Sequence, residues 1–148
     1  MTDSLTLFLL IIAFLVVSTL LYIIYRSTNK NQLSKIFSFN LINLLICLVG
    51  QMAQLIFSFK YNVKPIYFDY LVYIGTCFLP VSVYFTGKVF TNTKLKFKKS
   101  YLLLFIEPVI ALLVLWTNDL HHLFFESYST NMNEIITGPM HTINTIYS

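Results

Sequence analysis

The 148 residues are 57% hydrophobic and only 11% charged, with a mean hydropathy of +0.72, which excludes an ordinary water-soluble domain, where about a quarter of residues are charged. The formal charge of +4 does not mark a nucleic-acid binder, because the basic residues are confined to short segments between long uncharged runs. Cys47 and Cys77 lie inside apolar runs without CxxC or Cys/His spacing, which leaves two buried, reduced thiols rather than a metal or redox motif.

The first element expected is a membrane span over residues 5–25, because Leu5 to Tyr25 is free of charge and a helix of that length matches a hydrocarbon core of about 30 Å. Its start, Met1-Thr2-Asp3-Ser4, lacks the basic residues of a cleaved signal peptide. A second span, 36–59, carries Asn40, Asn43, Gln51 and Gln54, so one of its faces is expected to meet protein rather than lipid. The third, 70–87, is bounded by Asp69 and Lys88 and contains Gly75 and Pro80, with a kink expected near the proline. The fourth, 101–117, is shorter, contains Glu107 and Pro108, and carries Tyr101 and Trp116 at its ends, residues suited to the headgroup level.

From Asn118 onward the chain is more polar and has no run long enough to cross, although Gly138-Pro139 suits the start of a further helix. Eight of the ten basic residues follow the first span (Arg26, Lys30, Lys35) or the third (Lys88, Lys94, Lys96, Lys98, Lys99), while only Lys60 and Lys64 lie between the second and third. The positive-inside rule therefore predicts an outer N-terminus and an outer tail over 118–148. The fold class expected is an all-α integral membrane helical bundle, multi-pass in the cell membrane.

Glu107 is the one ionisable residue well inside a predicted span. Such a group faces a bundle interior or polar cavity, or else reaches an interface and pairs with a lysine such as Lys99. His121 and His122 are adjacent and lack the i, i+4 spacing that aims two imidazoles at one metal; they read as interfacial residues able to titrate near neutral pH. His141 has no evident partner. Gly50, Gly75, Gly87 and Gly138 are too scattered for a phosphate-cradling loop, and no nucleophile elbow, zinc-binding helix or acidic pair is present.

Tyr73-Ile74-Gly75 with Pro80, then Phe85-Thr86-Gly87-Lys88, Pro108, and the run Trp116-Thr117-Asn118-Asp119-Leu120-His121-His122-Leu123-Phe124-Phe125 resemble the N-terminal seven-helix region of bacterial sensor histidine kinases. Gly138-Pro139 and Thr145-Ile146-Tyr147-Ser148 resemble that family's entry into a fifth helix, although Asn144 stands where the resemblance leads one to expect a histidine. The resemblance implies a sensory input module of two-component systems, a region also found ahead of diguanylate cyclases. It further implies a chain that stops after the fourth helix, with neither kinase nor cyclase output and hence no enzymatic activity.

The sensing candidates are Asn118, His121, His122 and Glu107, and the helix-shaping ones Gly75, Pro80 and Pro108, with no catalytic residue, metal or cofactor expected. Expected partners are the lipid bilayer, a homodimer mate or another membrane protein, and a small-molecule or physical stimulus, with no nucleic acid. The alternative class is a small oligomeric proton-coupled transporter built around Glu107, or a partner-binding membrane subunit.

Overall fold

The computed structural model describes residues 2–27, 31–61, 66–91, 98–128 and 135–147; Lys30, Lys64, Lys94, Lys96, Asn131, Asn133 and Glu134 lie outside them. The three long uncharged runs form α1 (Thr2–Arg26), α2 (Gln32–Tyr61) and α3 (Ile66–Thr91). The fourth begins as a 3-10 segment, Lys99–Phe105, and becomes α-helical only in α4 (Ile106–Trp116). Among the described residues, four helices are thus long and apolar enough to cross a membrane.

Pro108 accounts for the divided fourth span. A proline has no N–H to give the carbonyl four residues back, here that of Leu104, and its ring crowds that carbonyl; a proline is tolerated in the first turn of a helix. The α-helix therefore starts at Ile106, with Pro108 buried in its first turn, and the preceding turns wind more tightly. Pro80 sits inside α3, which is helical on both sides of it.

The helices pack in chain order, α1 on α2, α2 on α3, and α3 on α4. On α2 the residues Asn43, Cys47, Gly50 and Gln54 recur at spacings of four, three and four, which places them in one seam facing α3. The seam is closed by backbone proximity rather than by large side chains. A Cβ added at Gly75 would collide with the Cys47 sulfur and the Asn43 carbonyl oxygen and lie 2.9 Å from the Cys47 amide nitrogen. One added at Gly50 would lie 3.0 Å from both Phe68 O and Val72 N. Small residues at such contacts let helices approach closely in lipid, where apolar surface alone does not drive association.

The polar residues of α2 divide accordingly. Asn43 is buried, Gln54 donates a hydrogen bond to Asp69 of α3, Asn40 is half-buried, and Gln51 is exposed. The α1–α2 contact is an apolar layer of Val17, Leu41 and Leu48, while Leu5, Phe8, Leu9 and Leu15 of α1 face outward. Large exposed apolar side chains along a span are what a lipid solvent permits.

Beyond α4 the polar composition conceals a folded cap. It consists of the short α5 (Asn118–His121), an antiparallel pair of strands β1 (Phe125–Tyr128) and β2 (Ile135–Thr137), and α6 (Pro139–Tyr147). The strand register shifts between Phe125 and Ser127, leaving Glu126 in the irregularity.

Candidate functional site

The cap is fixed to the bundle by the last residues of the Thr117–Phe125 run. Phe124 and Phe125 are 0% and 2% exposed and join Cys77, Ala111, Leu112 and Leu115 in one core cluster between α3 and α4. Tyr73 of α3 meets Phe124 edge-on at 4.8 Å between ring centroids, and Phe125 at 5.9 Å. Edge-to-face aromatic pairs contribute roughly 0.5–1.5 kcal/mol each beyond area burial.

Asn118 sets the path of the chain into this cluster. Its Oδ1 accepts from the amides of Phe124 (2.8 Å) and Phe125 (2.9 Å), and its Nδ2 donates to the Phe125 carbonyl oxygen at 3.1 Å. The side chain is 4% exposed, so these bonds are made out of contact with water. Asparagine suits the position because one amide group both accepts and donates. Its hydrogen bonds run to the chain's own backbone.

His121 is engaged at both ring nitrogens. The Thr117 hydroxyl donates to Leu113 O at 2.7 Å, so its oxygen accepts the Nε2 proton of His121 at 3.0 Å, while Nδ1 accepts the Leu123 amide proton at 3.0 Å. That pattern defines the neutral tautomer protonated on Nε2. His122 ends α5 in the left-handed conformation, φ 53°, with its amide donating to Asn118 O at 2.7 Å, and its side chain is exposed. The two histidines therefore act separately, and among the described residues no group of three or more His, Cys, Asp or Glu converges to hold a metal.

His141, for which the sequence offers no evident partner, and Gly138 complete the cap. His141, in the first turns of α6, packs its ring against Tyr73 and Phe124, each at 5.7 Å, and against Phe125 at 6.2 Å. Burial in this apolar setting lowers its pKa below the ordinary value of 6.5. Gly138 carries the chain from β2 into α6 against the Leu123 carbonyl, which a Cβ would strike. Its amide donates to Phe124 O at 2.9 Å, and the Met140 amide donates to Leu123 O at 3.0 Å.

Glu107 lies deeper, at the change from 3-10 to α geometry. Both carboxyl oxygens are enclosed, with no hydrogen-bond partner among the described residues, so the alternative pairing with Lys99 is not formed. The Asn43 amide nitrogen is likewise enclosed and unpartnered. Gly75, Pro80 and Pro108 contribute through the backbone, as a close helix contact, a proline within α3 and the start of α4.

A protein-family model described as the N-terminal 7TM region of histidine kinase matches residues 8–148. The chain belongs to this family. The match covers all four long helices almost entirely, and the whole cap. No curated protein and no solved structure matches the chain. The chain is accordingly a membrane sensory input region of the histidine-kinase type, and what the family names is an input region rather than a catalytic one.

Proposed function

We propose that this input region sits in the cell membrane with its N-terminus and cap outside, and that it senses by a change in how the cap seats between α3 and α4. The observation that carries the reading is the pair Phe124 and Phe125, drawn from the outer segment yet buried against Cys77 of α3 and Leu112 and Leu115 of α4. A stimulus acting on the cap's exposed surface, where His122 lies, is thereby transmitted to two membrane-crossing helices. The orientation is supported by the basic residues at the opposite end of the bundle, Arg26, Lys35, Lys88, Lys98 and Lys99 among those described.

Asn118 and His121 serve this function as positioning residues that fix the cap's resting geometry. Glu107 serves as a polar group beneath the cap whose surroundings change when α4 moves against α3.

Two measurements test the reading. In whole cells, with Cys47 and Cys77 replaced by alanine, a cysteine at Glu126 is expected to react with a membrane-impermeant maleimide and one at Lys88 is not; the reverse pattern overturns the orientation. In a full-length histidine kinase carrying this input region, Asn118→Ala is expected to shift the stimulus dose-response of autophosphorylation. An unchanged curve rejects the cap as the sensing element.

A further inference from the structure

Away from the cap, at the basic end of the bundle, α1 and α2 enclose a laterally open groove of about 460 Å³. Leu21, Tyr22 and Tyr25 form its α1 wall, and Ser38, Ile42 and Leu45 its α2 wall. The α2 residues continue a stripe that starts at Lys35, since positions 35, 38, 42 and 45 share one helix face. On the α1 side Arg26 Nη1 donates to Tyr22 Oη at 3.2 Å, holding the guanidinium beside a wall residue of the groove. The groove is thus mainly apolar, with Arg26 beside its α1 wall and Lys35 on the helix face that continues its α2 wall.

We propose that this groove binds an anionic phospholipid, with the headgroup phosphate between Arg26 and Lys35 and one acyl chain laid against Leu21, Ile42 and Leu45. Charge complementarity selects this occupant. Between Asp3 and Asp69 the sequence contains no acidic residue, so a phosphate here meets no carboxylate from either helix. Arginine's planar donor fork suits phosphate oxygens, and a basic side chain near a membrane surface contributes about 1 kcal/mol toward an anionic lipid. Exposure of Tyr22 (58%) and Ile42 (43%) leaves the groove open sideways, the direction from which a lipid enters. From Ser18, also on the α1 wall, to Tyr25 the wall is eight residues long, or roughly 10 Å of helix, enough to hold the upper part of one acyl chain.

The test is native mass spectrometry of the detergent-purified chain incubated with equimolar phosphatidylglycerol and phosphatidylcholine. The expected result is retention of phosphatidylglycerol roughly five- to thirtyfold above phosphatidylcholine, the upper figure being what two basic side chains supply. The double variant Arg26→Gln/Lys35→Gln is expected to bring the ratio close to one without lowering phosphatidylcholine retention. Ile42→Trp, at an exposed wall position, fills the groove with both charges intact and is expected to lower phosphatidylglycerol retention severalfold. Equal retention of the two lipids by the native chain overturns the proposal. So does full retention by the Ile42→Trp variant, which assigns binding to surface charge alone, and so does complete displacement by millimolar inorganic phosphate, which assigns it to the phosphate without the chain.

Discussion

Replacing Asn118 with alanine removes three hydrogen bonds at once, those to the amides of Phe124 and Phe125 and to the Phe125 carbonyl oxygen. A hydrogen bond of this kind contributes about 1 kcal/mol net, so the three together give a cost of about 3 kcal/mol. Phe124 and Phe125 are 0% and 2% exposed, so water reaches these groups only if the cap lifts. The cost is therefore paid as cap opening rather than as unfolding of the bundle, and about 3 kcal/mol corresponds to roughly a hundredfold rise in the open population.

Hydrogen exchange measured by mass spectrometry in nanodiscs reads this directly. The amides of Phe124 and Phe125 are poor reporters, because the substitution removes their acceptor. Gly138 and Met140 are better, since their amides donate to Phe124 O and Leu123 O and touch Asn118 nowhere. Exchange at Gly138 and Met140 is expected to accelerate by roughly a hundredfold, while α2 and α3 keep their native protection. If Phe124 and Phe125 accelerate and Gly138 and Met140 do not, the aromatic packing of Tyr73 and His141 holds the cap and Asn118 is dispensable.

Gly75→Ala is expected to destabilise the chain by about 1–3 kcal/mol, because the new methyl meets the Asn43 carbonyl and the Cys47 amide, backbone groups that cannot rotate aside. Gly87→Ala, where no atom of the described residues lies within 4 Å of the added methyl, is the control and is expected to be neutral or stabilising; equal losses in thermal stability in detergent refute the close-contact account. Cap protection at Met140, corrected for intrinsic exchange, is expected to depend on pH through His141. Burial lowers this group's folded-state pKa, so the folded cap binds fewer protons than the open one, and its stability is full above about pH 6.5 and lost as pH falls through the folded value. His141→Phe is expected to flatten that dependence, and an unchanged slope assigns it to another group.

The four long helices were legible because each contains a long stretch with few or no charges, a property carried by composition alone. The resemblance resting on the Thr117–Phe125 run was legible for a similar reason, since it resides in contiguous residues. What those residues do was less so. An asparagine beside two histidines reads as a polar cluster open to a ligand, whereas Asn118 turns inward to backbone groups six and seven residues on, along a path the local pattern does not encode. Tyr73 and His141 come together across 68 positions, and nothing near His141 names its partner. The change from 3-10 to α geometry in the fourth span was hidden as well, although Pro108, its physical cause, was in view.

The two faces of α3 are held in different ways, and that difference determines which contact yields. Toward α2 it makes a backbone-close contact through Gly50 and Gly75, reinforced by the Gln54–Asp69 hydrogen bond, and interfaces of that kind resist small displacements because any separation forfeits many contacts together. Toward α4 it is joined through side chains, with Phe124 and Phe125 of the cap as two of its bulkiest elements. On the function proposed above, a cap that shifts or lifts would change α4 relative to the closely joined α2–α3 pair. On the same reading, Glu107 lies on the helix that would move, and its enclosed carboxyl is where cap displacement would alter the polar environment within the span. Coupling of this kind needs only two packings of α4 that differ by a few kcal/mol, a difference of the size that the hydrogen bonds of Asn118 supply.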